Sequence, residues 1–151
     1  MRPPPGPTGG PPSSPPGSLP PPVTRVYEAE WVGNSFTNTT VYTCSGCSGQ
    51  KKVGRVGRNS GTLQFNGITA TTGGLATVKI AYVNGDTAGR VGWLSINGSP
   101  GVPLDFDVTG GWSTVHTLVV IMTLKAGGNT LAFFNDDGPA PDFDKLTVSV
   151  R

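Results

Sequence analysis

The stretch Ala76-Thr77-Val78-Lys79-Ile80-Ala81-Tyr82 decides the fold class. Successive side chains of a β-strand point to opposite faces, so Ala76, Val78, Ile80 and Tyr82 share one side and Thr77, Lys79 and Ala81 the other. This is the alternation of a half-buried strand. Working outward, the same period returns where Val91, Trp93, Ser95 and Asn97 oppose Gly92, Leu94 and Ile96, and Asn97-Gly98 then supplies a tight turn. Leu131 and Phe133 alternate with Ala132 and Phe134, and Leu146, Val148 and Val150 with Thr147, Ser149 and Arg151. His116–Leu124 is apolar on both faces, which predicts a strand in the middle of a sandwich. Shorter strands are expected at Arg25–Trp31, Thr39–Tyr42, Thr62–Phe65 and Leu104–Val108. No segment from Arg25 onward has helical periodicity. Strands punctuated by Gly and Asn roughly every ten residues predict an all-β, antiparallel β-sandwich.

A chain of 151 residues has room for one domain of ordinary size. Residues 1–24 hold eleven of the fifteen prolines and few sizeable hydrophobes. Such a segment cannot offset the entropy of folding, and it reads as a proline-rich, disordered linker ahead of a domain at 25–151. A tether implies something joined upstream. The net charge of +2, with 13% charged residues, provides no strong field for nucleic acid or an anionic membrane. Lys51, Lys52, Arg55 and Arg58 form a basic cluster without the interleaved aromatics that base stacking requires. No apolar run approaches the length needed to cross a bilayer. Prolines follow Met1-Arg2 where a secretory signal would have its apolar core, so an exported precursor would carry that signal further upstream. Cys44-Ser45-Gly46-Cys47 does not open a helix, as a redox pair of this spacing does, and a zinc site needs about four ligands. A local disulfide pinning a loop is preferred over two free thiols.

Carboxylates crowd the two ends of the predicted domain, in Tyr27-Glu28-Ala29-Glu30 and in Pro141-Asp142-Phe143-Asp144-Lys145-Leu146. In a strand Glu28 and Glu30 would project side by side, and like charges held that close repel unless a cation sits between them. If the first and last strands pair, Asp144 completes an all-oxygen set that suits calcium. A charged edge strand is the alternative reading. The segment from Asp142 is no EF-hand, because Thr147 stands where that loop needs glycine.

These ends bracket Cys47-Ser48-Gly49-Gln50-Lys51-Lys52-Val53-Gly54-Arg55-Val56-Gly57, Ala81-Tyr82-Val83-Asn84-Gly85, Ser95-Ile96-Asn97-Gly98 and Leu124-Lys125-Ala126-Gly127-Gly128-Asn129-Thr130-Leu131. In this order the set resembles carbohydrate-binding module family 35 and its relative family 6, across residues 25 to 151. The resemblance implies a jelly roll and a structural calcium held by Glu28, Glu30 and Asp144. It implies a sugar site built from an aromatic platform, Trp112, and the loop residues Asn135, Asp136, Asp137 and Asp142. Carboxylates accept sugar hydroxyls, and the acidic loop could instead hold a second calcium bridging to an acidic sugar. Trp31 and Trp93 read as core, whereas Trp112 follows Gly110-Gly111 at a loop tip or strand entrance, where the alternative to a sugar platform is a lid over the sandwich edge. Arg55 and Pro139 stand where many members have aromatics. Arg55 and Arg90 are expected to pair with acids, or else with a sugar carboxylate.

The function expected is a non-catalytic, secreted, extracellular bacterial module, monomeric, without nucleic-acid or membrane partners. It would bind a polysaccharide or oligosaccharide, galactose- or uronic-acid-containing glycans favoured. An upstream catalytic domain, a glycoside hydrolase, would be targeted by it. The alternatives are a structural or adhesion jelly roll without a sugar ligand, and a hydrolase in its own right. The latter needs two carboxylates facing each other across a cleft, and Asp105 and Asp107 share one strand face instead.

Overall fold

The computed structural model describes residues 21–58 and 60–150. Among the described residues there are eleven strands: β1 (Val23–Glu28), β2 (Ser35–Thr37), β3 (Thr40–Thr43), β4 (Lys51–Gly54), β5 (Thr62–Ala70), β6 (Gly74–Val83), β7 (Arg90–Ile96), β8 (Val102–Phe106), β9 (His116–Leu124), β10 (Gly127–Phe134) and β11 (Asp142–Val150). One sheet has the order β3-β4-β11-β6-β9 with β1 also beside β11, and the other β2-β5-β10-β7-β8. The pairings are antiparallel, and the two sheets form the β-sandwich jelly roll expected from the sequence. Residues 1–20 of the proline-rich head lie outside the described residues. β1 begins at Val23, which pairs with Val150, so the folded part starts two residues before the boundary read at 25.

Phe143 joins the two sheets. Its ring lies 4.4 Å from Phe133 of β10 and meets Phe106 of β8 edge-on at 5.7 Å. Phe65 and Tyr82 extend this aromatic cluster by edge contacts to Phe133 and Phe106. Leu146, Val148 and Val150 also face the core, and a period of two would continue inward to Asp144 and Asp142. A β-bulge prevents this: Phe143 pairs with Tyr82, but Lys145 pairs with the adjacent Ala81, leaving Asp144 as the extra residue. The extra residue reverses the phase of the strand. Phe143 thereby enters the core, while Asp142 and Asp144 turn to the outer side.

Several local expectations are corrected. β1 ends at Glu28 and the chain turns through Ala29-Glu30, so Glu30 is not in the strand that was predicted to reach Trp31. β9 forms the end of its sheet rather than the middle; its second apolar row is outward-facing, with Val119 54% and Ile121 66% exposed. Trp31 is 51% exposed and lies over Gly33. Trp93 is half-buried and stacks on Phe134 at 6.5 Å. Neither tryptophan belongs to the core cluster.

The central role of Phe143 has a direct test. Phe143→Ala should lower unfolding free energy by about 3–5 kcal/mol, because the cavity opens between the sheets and cannot collapse fully. Urea unfolding monitored by circular dichroism measures it. A loss below about 1 kcal/mol would place the structural centre elsewhere.

Candidate functional site

Glu28, Glu30 and Asp144 do converge, although from a turn and a bulge rather than from two flat strands. Asn34 fixes the turn: its side-chain amide donates to the carbonyls of Glu28 and Ala29 at 3.0 Å each, and its side-chain oxygen accepts the Asn66 N–H. The Ala29 N–H donates to the Asp144 carbonyl at 2.9 Å, tying this turn to the bulge. Ser48 then spans the acids. Its N–H donates to both carboxylate oxygens of Asp144 at 3.1 Å, and its hydroxyl donates to Glu28 Oε2 at 2.6 Å. Gly49 follows at φ +61°, where a Cβ would lie 3.0 Å from Glu30 Oε2. The Cys44–Cys47 disulfide, preferred from sequence, closes the loop immediately before Ser48.

The electrostatics of this cluster are unbalanced. Glu28 Oε1 and Glu30 Oε1 are buried and receive no hydrogen bond. Burial pushes the Glu30 carboxyl above its usual range, with the charges of Glu28 and Asp144 adding to the rise. Burial also raises Asp144, helped by Glu28, while the Ser48 N–H opposes it. Among the described residues, no three His, Cys, Asp or Glu side chains already stand in metal-ligating geometry.

A separate groove of about 780 Å³ opens on the outer side of β3, β4 and the start of β11, lined among others by Tyr42, Lys52, Arg55, Arg90, Trp112 and Asp142. Trp112 is 44% exposed there. Its indole rests against Gly85, where a Cβ would lie 2.5 Å from ring carbons. The Lys52 ammonium lies 5.1 Å from the centre of the Trp112 ring and the Arg90 guanidinium 5.0 Å, both within cation–π range. Lys52 also donates to the Trp112 carbonyl at 2.6 Å and pairs with Asp142 at 2.8 Å. Burial raises the Asp142 carboxyl above its usual range against the opposing pull of Lys52. Arg90 pairs with Asp86 at 3.2 Å, as its sequence reading anticipated, and donates to the Ala140 carbonyl at 3.0 Å.

The loop between β10 and β11 supplies the other wall. Asp136 and Asp137 are exposed and line the groove. Asn135 is buried, and its side chain serves the loop itself: the amide donates to the Val91 carbonyl, and the oxygen accepts the N–H groups of Asp137 and Gly138. It organises the wall from beneath. Arg55 is exposed and lines the groove, whereas Pro139 lines a smaller neighbouring hollow beside Trp93. Lys52 and Tyr42 were not anticipated as groove residues. The available signal was Lys52 alternating with inward-facing Val53 in a short strand, but its partners come from distant segments.

A family model described as "CBM13-like: Alpha-galactosidase, CBM13 domain" matches residues 62–148. Two curated relatives from Cellvibrio japonicus (strain Ueda107), endo-1,4-beta-xylanase B and alpha-L-arabinofuranosidase C, are each 34% identical over 84 residues, covering 54% of this chain and 14% of theirs. The chain thus spans a small part of those relatives' length. A family 35 carbohydrate binding module from Clostridium thermocellum superposes with a TM-score of 0.80 at 29% identity, covering 83% of this chain and 98% of that one. An exo-beta-1,3-galactanase from Phanerochaete chrysosporium, solved with galactose, gives 0.77 at 33% identity over 83% of this chain and 29% of its own. CBM35 from Paenibacillus barcinonensis gives 0.76 at 28% identity, covering 84% and 99%. The family numbers 13 and 35 differ between the model and the structures, but both denote carbohydrate-binding modules, and the structures cover far more of the domain. The matched model spans more than half of the chain, which therefore belongs to that CBM13-like family of carbohydrate-binding modules and has the jelly-roll architecture of the family 35 structures.

Proposed function

We propose that this chain is a non-catalytic module that binds glycan in the Trp112 groove and targets an appended glycoside hydrolase to polysaccharide outside the cell. The single observation that carries this reading is the half-exposed indole of Trp112, backed by Gly85 and flanked by polar side chains in an open groove. A ring in that setting offers its apolar surface to the C–H face of a sugar while neighbouring polar groups meet the hydroxyls. Asp136 and Asp137 are the acceptors nearest solvent. The family model and one structural neighbour are named for an α-galactosidase and a galactanase, which favours a galactose-containing glycan. Arg55 and Arg58 along the groove keep uronic-acid-containing chains as the other candidate class. Linkage to an enzyme raises its effective concentration at the substrate, and the proline-rich head would serve as the tether. Among the described residues no helix is long and apolar enough to cross a membrane.

A structural calcium at Glu28, Glu30 and Asp144 belongs to the same proposal. The fit rests on the two buried glutamate oxygens without a donor and on an all-oxygen set of three carboxylates. A bound divalent cation would supply the positive charge that this cluster lacks.

Three outcomes are expected. Trp112→Ala should weaken binding to galactan or polygalacturonan by roughly 10-fold or more, about 1.4 kcal/mol, with an unchanged thermal melt. Calorimetric titration beside melting checks this. A wild-type protein that binds neither polymer, with or without added calcium, would favour the structural or adhesion jelly roll.

Calcium should raise the melting temperature relative to chelator, since an ion binding only the folded state adds stability by mass action. Glu30→Gln should abolish most of that increment. Equal melts in calcium and chelator after metal analysis would remove the structural ion. The chelator arm of the titration also reports on a second ion at Asp136 and Asp137.

The third outcome concerns pH. Glu30 and Asp144 titrate above their usual range in the folded state, so that state binds protons more readily than the unfolded one. Their contribution therefore disfavours folding at neutral pH, and the penalty lifts as pH falls through the raised values. In chelator the melting temperature should recover part of its deficit on mild acidification, and Glu30→Gln should diminish that recovery. A deficit between chelator and calcium that stays constant from pH 7 to about pH 5, or grows, would contradict the assignment.

A further inference from the structure

Lys52 is the only buried lysine among the described residues, at 5% exposure. An ammonium has three donors, and this one makes two short contacts, to Asp142 Oδ2 at 2.8 Å and to the Trp112 carbonyl at 2.6 Å. It also sits 5.1 Å from the Trp112 ring centre and 6.0 Å from that of Tyr42. One charge thus links β4, the start of β11 and the loop that carries Trp112.

Stability alone is a poor explanation for this arrangement. Desolvating two charges costs several kcal/mol, and apolar replacements of whole buried pairs are often neutral or stabilising. A buried pair of this kind is better understood by what it positions. The loop at 109–115 is anchored at its start, where the Thr109 N–H donates to the Asn84 carbonyl and the Thr109 hydroxyl accepts the Asn84 N–H. Beyond Gly110, at φ +89°, and Gly111, the hold on Trp112 itself is the Lys52 bond to its carbonyl, with Gly85 behind the ring and Arg90 beside it. The Gly111 carbonyl accepts the Thr109 hydroxyl at 3.1 Å and the Thr114 N–H at 3.4 Å, so the loop backbone is fixed up to Gly111, and the charge-assisted Lys52 bond carries that hold on to the Trp112 carbonyl.

We propose that Lys52 is the positioning residue of the groove, holding Trp112 in its stacking pose by carbonyl and ring, with Asp142 as the anchor of the ammonium rather than a sugar acceptor. This inference rests on the glycan-binding reading of the groove, but its geometric half does not require a glycan. It also separates the roles of the acids: Asp136 and Asp137 face ligand, and Asp142 faces Lys52.

The test uses a Trp31→Phe/Trp93→Phe background, so that fluorescence reports Trp112 alone. Asp142→Asn keeps an oxygen for the ammonium. Lys52→Met/Asp142→Asn removes both charges with little change of volume. Each variant is melted, quenched with acrylamide and titrated with galactan and polygalacturonan. Asp142→Asn should stay within about threefold of the background protein in affinity, with unchanged quenching. The double variant should melt within a few degrees of it, show at least twofold greater quenching of Trp112, and lose roughly 10-fold in affinity. Unchanged quenching in the folded double variant overturns the proposal, as does an Asp142→Asn loss equal to that of the double variant. Failure of the double variant to fold overturns it too, since the pair would then be a structural element. If the background protein binds neither polymer, the groove reading fails, while the quenching result still judges the role of Lys52.

Discussion

One extra residue in the last strand governs this molecule. The bulge at Asp144 reverses the inside–outside phase of β11 between Leu146 and Phe143. Without it Phe143 would face out, and two carboxylates would point between the sheets with no water to solvate them. Burying an unpaired carboxylate is among the largest penalties a fold can carry, whereas the Phe143 ring fills the space between Phe106 and Phe133. The same phase change delivers Asp142 and Asp144 to the outer side, two residues apart on one strand and at two different sites. Core and sites therefore share a single backbone irregularity, in line with the way bulges re-aim side chains near functional regions.

The two acids meet opposite electrostatic solutions. Asp142 finds its countercharge within the chain, in Lys52 at 2.8 Å. Asp144 finds Ser48 N–H and two more acids, and the orphaned oxygens of Glu28 and Glu30 leave that cluster short of positive charge. β4 runs beside both sites, with the Ser48 turn just ahead of it over the acid cluster and Lys52 under the groove. Hydrogen bonds thus connect the cluster to the turn that enters β4 and the groove to β4 itself. The disulfide between Cys44 and Cys47 restrains the loop that enters it.

The architecture was legible because the alternating parts of β6, β7, β10 and β11, such as Ala76–Ile80 and Leu146–Val150, keep a period of two, and Asn-Gly marks the turn after β7. Glu28, Glu30 and Asp144 were legible as a convergent set because β1 and β11 pair as neighbours. What escaped the sequence depends on tertiary placement. Alternation cannot distinguish an end strand with an exposed apolar face from a central one, so the doubly apolar His116–Leu124 reads as central although β9 ends its sheet. A large apolar ring in or beside a strand looks like core, yet Trp31 covers a glycine at the surface and Trp93 stacks on the outward Phe134. Asn135 looked like a ligand residue because it opens an acidic loop, but its side chain organises that loop's own N–H groups. Lys52 sat in a basic cluster and gained significance only when folding brought Asp142 and Trp112 around it.

The measurement that bears most directly on the account is a backbone amide NMR titration of the domain with a soluble galacto-oligosaccharide and a uronic-acid oligosaccharide, in calcium. The account predicts saturable shifts for at least one of them, concentrated on Tyr42, Arg55, Trp112, Asp136 and Asp137, with the outer faces of β9 and β5 unmoved. Saturable shifts centred on one of those faces, with the Trp112 groove silent, would contradict it.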